Sequence, residues 1–134
     1  MSAEIVRAAF ERFARALNHA RDVAVLSAAV ADEVRIERHG PGERGVAPVV
    51  ETFDGVAAVA RWFARTPPVA KFSVAGAPAL EPGADGAAAW VIEYAIDAGE
   101  FHNGGIWVAR LAADGRIAFL SHHPFALRDA PAER

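Results

Sequence analysis

Polar side chains interrupt two apolar strands predicted near the C-terminal end of the chain. Residues 101–112 and 116–123 read as strands joined by an Asp-Gly turn, and they carry Asn103 and His122. A histidine titrates near neutral pH, so His122 in a pocket could act as a general base. Asn103 could orient a ligand carbonyl or hold a water. The alternatives are structural: a core-edge histidine bonded to a backbone carbonyl, and an amide that satisfies backbone groups at a strand end.

A third candidate group lies just before a loop rich in Gly and Pro. Arg38 could clamp an anionic or carbonyl group bidentately, or it could form a surface ion pair with Glu37 or Glu51. The next residue, His39, could reach the mouth of a cavity as an acid or base. Both interpretations of Arg38 stay open at the level of the sequence.

Metal and cofactor sites are not predicted. On a regular strand, His122 and His123 point to opposite faces, so they cannot hold one metal ion together. The absence of cysteine excludes disulfides, thiolate catalysis and cysteine-based zinc sites. The pair Gly104–Gly105 lacks the strand-to-helix context of a phosphate loop, and it indicates a bulge or a close backbone approach.

Length and composition limit the class of protein. The 134 residues, 53% hydrophobic and 23% charged, predict one domain over 1–134, with a polar tail at about 125–134. The formal net charge of −3 without a basic run argues against nucleic-acid binding. No signal peptide or membrane span is predicted, so a cytoplasmic location is the default expectation.

Hydrophobic periodicity predicts an α+β fold. Helices are expected at 3–20, at 22–31 with Asp22 as cap, and from an Asp54 cap to 65. Strands are expected at 34–39, 69–76, 87–97, 101–112 and 116–123, with 39–48 as a loop. This order favours helices packed on one face of a curved, mainly antiparallel sheet.

Strand alternation predicts which side chains face the interior. In 87–97 the set containing Trp90 and Tyr94 points inward, and in 101–112 the odd-numbered set with Asn103 and Trp107 does so. The alternation in 116–123 does not separate the two faces. The resulting concave surface is apolar and aromatic, and small residues beside the rings leave room for a ligand-sized hollow. A well-packed core would use the same residue types.

Several short motifs occur in a characteristic order along almost the whole chain. They are Phe53-Asp54-Gly55 followed by Trp62-Phe63, Phe101-x-Asn103, Asp114-Gly115-Arg116-Ile117 and Ser121-His122-His123-Pro124. Together they resemble the nuclear transport factor 2-like superfamily, and within it the SnoaL-like and ketosteroid-isomerase-like proteins. The resemblance implies a cone in which a curved sheet wraps around the N-terminal helices, with a deep pocket between them. It also implies a homodimer packed through the outer face of the sheet.

The sequence departs from the ketosteroid isomerase pattern at each chemical group. Alignment of the first strand puts Arg38 where that enzyme has its Asp base. The oxyanion-hole Tyr falls near Phe13 or Ala14, and the second, protonated Asp falls on Trp107. That proton-shuttling mechanism therefore does not carry over, and no inward carboxylate matches the acid/base of the SnoaL-type cyclases.

Three functional hypotheses follow. The first is a cofactor-independent isomerase, cyclase, dehydratase or hydrolase for an apolar substrate, in which His122 moves the proton while Asn103 and Arg38 hold the oxygen that gains charge. The second is a non-catalytic protein that binds an apolar small molecule, and the third is a dimeric interaction module with a closed core. In the first two, the cavity is shaped by aromatic residues of the first helix and the strands, namely Phe10, Phe13, Trp90, Tyr94 and Trp107.

Overall fold

The computed structural model describes residues 1–19, 22–83 and 87–126, which form three helices and six strands. The helices are α1 (Ala3–Asn18), α2 (Val23–Ala29) and α3 (Val56–Ala64). The strands are β1 (Val30–His39), β2 (Val49–Asp54), β3 (Lys71–Pro82), β4 (Ala88–Ala98), β5 (Phe101–Leu111) and β6 (Ile117–Pro124). Most of the predicted tail lies outside the described residues. None of the described helices is long and apolar enough to cross a membrane.

The six strands form a single curved sheet in the order β2-β1-β6-β5-β4-β3. Strands β1 and β6 are parallel, and every other neighbouring pair is antiparallel. The predicted α+β class and mainly antiparallel sheet are therefore confirmed. The parallel pair arises because the whole segment from β2 to β5 intervenes between β1 and β6 along the chain.

Local capping and patterning explain the first two helices. The Ser2 hydroxyl accepts a hydrogen bond from the Ile5 amide at the start of α1, and the Asp22 carboxylate accepts from the amides of Ala24 and Val25 in α2. The apolar stripe of α1 is buried against the concave side of the sheet: Val6, Phe10, Phe13 and Leu17.

Strand β2 was not expected, and the predicted cap of α3 is wrong. Residues 49–54 pair with β1 instead of ending a loop. Asp54 is the last residue of this strand and forms an ion pair with Arg35. Gly55 occupies the cap position with φ 84°, so α3 begins without a side-chain cap.

An aromatic layer fills the concavity of the sheet. Phe10, Phe13, Tyr94 and Trp107 are each fully buried. The Tyr94 and Trp107 rings stack at 4.5 Å, and Phe13 meets Trp107 edge-on at 5.0 Å. The inward assignments of the β4 and β5 side chains are therefore confirmed, and Leu120 and His122 of β6 share this face through pairing with β5.

The segment 40–48 lies over part of the convex face. His39 contacts the Ala47 carbonyl through Nδ1, and its ring stacks on His123 at 4.1 Å. Arg44 reaches Glu81 at 2.9 Å and so ties the segment to β3. His122 and His123 thus face opposite sides of the sheet, as expected, and His39 faces away from the concave side.

Candidate functional site

A cleft of about 510 Å³ opens where the chain leaves α3 and the sheet curves away from it. Its walls are mostly apolar and come from α1, α3 and four strands: Leu17, Trp62, Phe72, Ile96, Phe101 and Pro124. Its titratable lining residues are a histidine and three charged residues: His122, Arg38, Glu51 and Arg65. An apolar hollow with a few convergent polar groups is the usual form of a small-molecule site.

Strand register places the polar groups in one row across the sheet. Glu51 of β2 is opposite Arg38 of β1, Arg38 is opposite His122 of β6, and His122 is opposite Trp107 of β5. Directly paired residues of neighbouring strands share a face of the sheet. The row therefore runs from the ion pair at the rim to the aromatic layer at the back of the cleft.

Both ring nitrogens of His122 are engaged by buried side chains. The indole N–H of Trp107 donates to Nδ1 at 2.9 Å, and Nε2 lies 3.1 Å from the hydroxyl oxygen of Tyr94. An indole nitrogen can only donate, so neutral His122 carries its proton on Nε2 and donates it to Tyr94. Trp62 also meets the His122 ring edge-on at 5.4 Å.

This environment keeps His122 neutral. Burial is the main cause that lowers its pKa to about 3, and the charges of Arg38, His123 and His39 lower it further. Burial also raises the pKa of Tyr94. With its basic lone pair already accepting a hydrogen bond, His122 is a fixed hydrogen-bond donor instead of a poised base.

Gly105 allows the Tyr94 hydroxyl to reach the histidine. A Cβ at this position would lie 2.6 Å from the hydroxyl oxygen of Tyr94 and 2.8 Å from the Cα of Pro124, and it would also overlap the His123 carbonyl. Any side chain would therefore displace the tyrosine or the end of β6. The close approach predicted for Gly104–Gly105 is confirmed.

Two arginines converge on one carboxylate at the rim. Arg38 donates to Glu51 Oε1 through Nε at 2.9 Å and Nη2 at 2.7 Å, and Arg65 donates to the same oxygen through Nη2 at 2.9 Å. The hydrogen bonds from Arg65 and then from Arg38 are the largest causes of a lowered Glu51 pKa, so Glu51 remains ionised. Arg65 is brought there by the C-terminal end of α3.

The structure brings together only part of the predicted site. His122 and Arg38 line the cleft side by side, and Arg38 forms the ion pair that the structural interpretation anticipated, with Glu51. Asn103 instead donates to the Phe125 carbonyl at 3.3 Å and holds the chain after β6. It is absent from the cleft lining, and its hydrogen bond is of the structural kind that was the alternative interpretation of this residue.

The five predicted ligand-contacting aromatic residues are also absent from the cleft lining. Phe10, Phe13, Tyr94 and Trp107 are fully buried in the aromatic layer, because α1 lies in the concavity and fills it. Trp90 is half-buried further along β4, opposite Leu80 and Ala109. Tyr94 and Trp107 contact His122 from behind the cleft, and none of the five residues forms its surface.

The lining residues that sequence reasoning missed lie in one unpredicted strand and at the ends of two predicted elements. Glu51 was hidden in the missed strand β2, although the β-branched run Val49-Val50 followed by Thr52 and Phe53 is a strand signal. Arg65 and Phe72 carry no signal of their own, because only tertiary packing brings the end of α3 and the start of β3 to the cleft.

The described part of the chain also forms a hollow away from His122. A second hollow of about 540 Å³ lies between the end of α1 and the start of α2, lined among others by Asn18, Asp22 and Lys71. Within residues 1–19, 22–83 and 87–126, no three histidine or carboxylate side chains come close enough to hold a metal ion.

A curved, unclosed mixed sheet with helices in its concavity defines the cystatin-like, or nuclear transport factor 2-like, class of folds. The model of the SnoaL-like domain matches residues 10–120, and the chain belongs to this family. The predicted family resemblance is therefore confirmed. Comparison with curated proteins gives no match.

Solved structures support the same fold. A protein from Kribbella flavida proposed to be a ketosteroid isomerase is 18% identical with a TM-score of 0.65, over 95% of this chain and 82% of its own. A proposed isomerase of the SnoaL-like family from Agrobacterium tumefaciens is 17% identical with a TM-score of 0.64, over 89% and 96%. A cystatin-like protein of unknown function from Methylobium petroleophilum is 18% identical with a TM-score of 0.64, over 96% and 80%. At these identities the likeness concerns the fold alone.

Proposed function

We propose that this protein binds a small apolar organic molecule in the cleft beside His122. The observation that carries the proposal is the make-up of the walls: aromatic and aliphatic side chains surround a short row of fixed polar groups. Transfer of apolar ligand surface from water into such a cleft supplies the affinity, and the polar groups orient the ligand.

Binding without proton transfer is the function that the geometry supports best. An efficient general base has a pKa near the working pH. The pKa values of both candidate bases in the cleft, His122 and Glu51, move down and away from neutrality, and each group already accepts a hydrogen bond. The ligand would therefore be held and oriented rather than deprotonated.

A second candidate is a cofactor-independent isomerase or related enzyme acting in the same cleft. Its support is that two structural neighbours are described as proposed isomerases. Turnover assays on every compound that binds distinguish the two functions, since a binding protein returns each ligand unchanged. Turnover that is lost in His122→Gln would favour the enzyme.

Fluorescence titration with an uncharged apolar probe tests the proposal. N-phenyl-1-naphthylamine becomes fluorescent in an apolar site, and we expect saturable binding to the purified protein. Ala98 lies on the cleft wall, so Ala98→Phe fills the space and should weaken binding about tenfold, the size of a steric overpacking penalty.

The matched control is Ala88→Phe, which places the same ring at an exposed position at the other end of the same strand. We expect its affinity to equal that of the unmodified protein. Equal weakening by both substitutions, or no saturable binding at all, would refute the cleft as the ligand site.

A further inference from the structure

The ionised groups on the cleft wall do not cancel. Arg38 and Arg65 each carry one positive charge and Glu51 carries one negative charge, and His122 is neutral. The cleft rim therefore has an excess of one positive charge, although the protein as a whole has a formal charge of −3. Such a local reversal of sign attracts anions to this part of the surface.

Arg65 makes fewer hydrogen bonds to Glu51 than Arg38 does. Only its Nη2 is bonded to Glu51, whereas Arg38 uses both Nε and Nη2 for the same carboxylate. The Arg65 side chain is 56% exposed, and its guanidinium carbon lies 5.7 Å above the ring of Phe53, which supports it from below. Its remaining N–H groups are thus accessible at the mouth of the cleft, in a fork that matches a carboxylate or sulfonate.

Glu51 holds the two arginines without neutralising both. Its Oε1 accepts all three hydrogen bonds, so one carboxylate fixes two cations. Glu51 thereby orders Arg65 before a ligand arrives, and less side-chain entropy is lost on binding.

The positive potential extends to the floor of the cleft. After burial, the charge of Arg38 is the largest cause that disfavours protonation of His122. The same potential that opposes a positive charge at this site would favour a negative charge on a bound molecule. The arginines at the rim and the surroundings of His122 therefore both favour a negatively charged ligand group.

We propose that the natural ligand is an apolar molecule with one anionic group, whose apolar body occupies the cleft and whose anion binds Arg65 at the rim beside Arg38. This inference rests on the proposed binding function and narrows its ligand class to organic acids such as carboxylates.

A pair of probes that differ by one charged group tests this inference. The sulfonate 1-anilinonaphthalene-8-sulfonate carries the same ring system as uncharged N-phenyl-1-naphthylamine. We expect the sulfonate to bind about fivefold more tightly, a ratio typical of one partly exposed ionic contact. The ratio of the sulfonate's affinity to that of the uncharged probe should fall to about one in Arg65→Gln. It should also decrease as ionic strength rises.

Two further variants complete the test. Arg61→Gln removes the same charge one helical turn earlier, at an exposed position of α3 outside the cleft lining, and should leave the ratio unchanged. Arg65→Lys keeps the charge without the fork and should retain part of the ratio. Far-UV circular dichroism of each variant verifies that the fold is retained.

The outcomes distinguish the inferred anionic ligand class from the proposed binding function. Equal binding of the two probes, weaker binding of the sulfonate, or a ratio that survives Arg65→Gln would overturn the anionic ligand while leaving an apolar-binding cleft. Failure of both probes to bind would refute the binding function itself, and the inference with it.

Discussion

Acidification should lower the free energy of unfolding, because His122 is buried in its neutral form. The folded-state pKa of His122 is about 3, against about 6.5 for an unfolded chain. Between these values the unfolded state binds more protons, so the free energy of unfolding falls as pH falls. For these two pKa values, the loss attributable to His122 between pH 7.5 and pH 5 is about 2 kcal/mol.

Comparison with His122→Gln isolates this contribution from other titrating groups, including His123, whose pKa is also lowered, to about 4. Glutamine does not titrate, and it leaves Trp107 and Tyr94 imperfectly bonded, which costs about 1–3 kcal/mol at neutral pH. The free energy of unfolding of the unmodified protein, relative to that of His122→Gln, should therefore fall by about 2 kcal/mol from pH 7.5 to pH 5, and its sign reverses where the initial difference is smaller than this.

Urea unfolding followed by circular dichroism measures this gap at each pH. The control is His102→Gln, since the His102 side chain is 66% exposed and is not part of the buried network. A gap that stays constant within about 0.5 kcal/mol would refute the account of a neutral, desolvated histidine. So would a His122 ring resonance that titrates between pH 8 and pH 5 in the folded protein.

Three other outcomes are expected. Gly105→Ala should lower the free energy of unfolding in urea by at least about 2 kcal/mol, because its Cβ would overlap the backbone of β6. The control is Gly40→Ala, whose Cβ would have no neighbour closer than 3.7 Å, and it should cost far less. Asp22→Ala should lower stability by about 1 kcal/mol through loss of the α2 cap, and Glu33→Ala, at an exposed strand position, should change it by less than half of that. The family resemblance implies a homodimer through the convex face, and sedimentation equilibrium should then give a dimer. Val108 follows the inward-facing Trp107 in β5 and so faces the convex side, where Val108→Asp should dissociate that dimer; a monomeric unmodified protein would contradict this arrangement.

The fold was largely predictable because its signals are local. The stripe of α1, the Asp22 cap and the alternation in β4 and β5 each depend on residues close together in sequence. Strand β2 was missed because its short run follows a Gly- and Pro-rich segment and precedes a helix, where Asp54 imitates a cap. Its true partner, β1, is defined only by the folded sheet.

The site was predictable only where strand position alone decides it. His122 and Arg38 reach the cleft because β6 and β1 are parallel neighbours that place them opposite each other. Arg65 and Phe72 reach the cleft through the way in which the end of α3 and the start of β3 lie against the sheet, which no pattern in their own segments records. The large aromatic residues misled the prediction because a packed layer and a ligand cavity use the same side chains.

Nuclear magnetic resonance of the tryptophan indole N–H groups tests the central claim most directly. Trp62 lies on the cleft wall, whereas Trp90 is half-buried away from it, and Trp62→Phe assigns the signals. Addition of uncharged N-phenyl-1-naphthylamine should shift the Trp62 indole resonance in a saturable manner and leave that of Trp90 in place. An unmoved Trp62 signal at saturating probe, or a shift at Trp90 alone, would contradict a ligand site in this cleft.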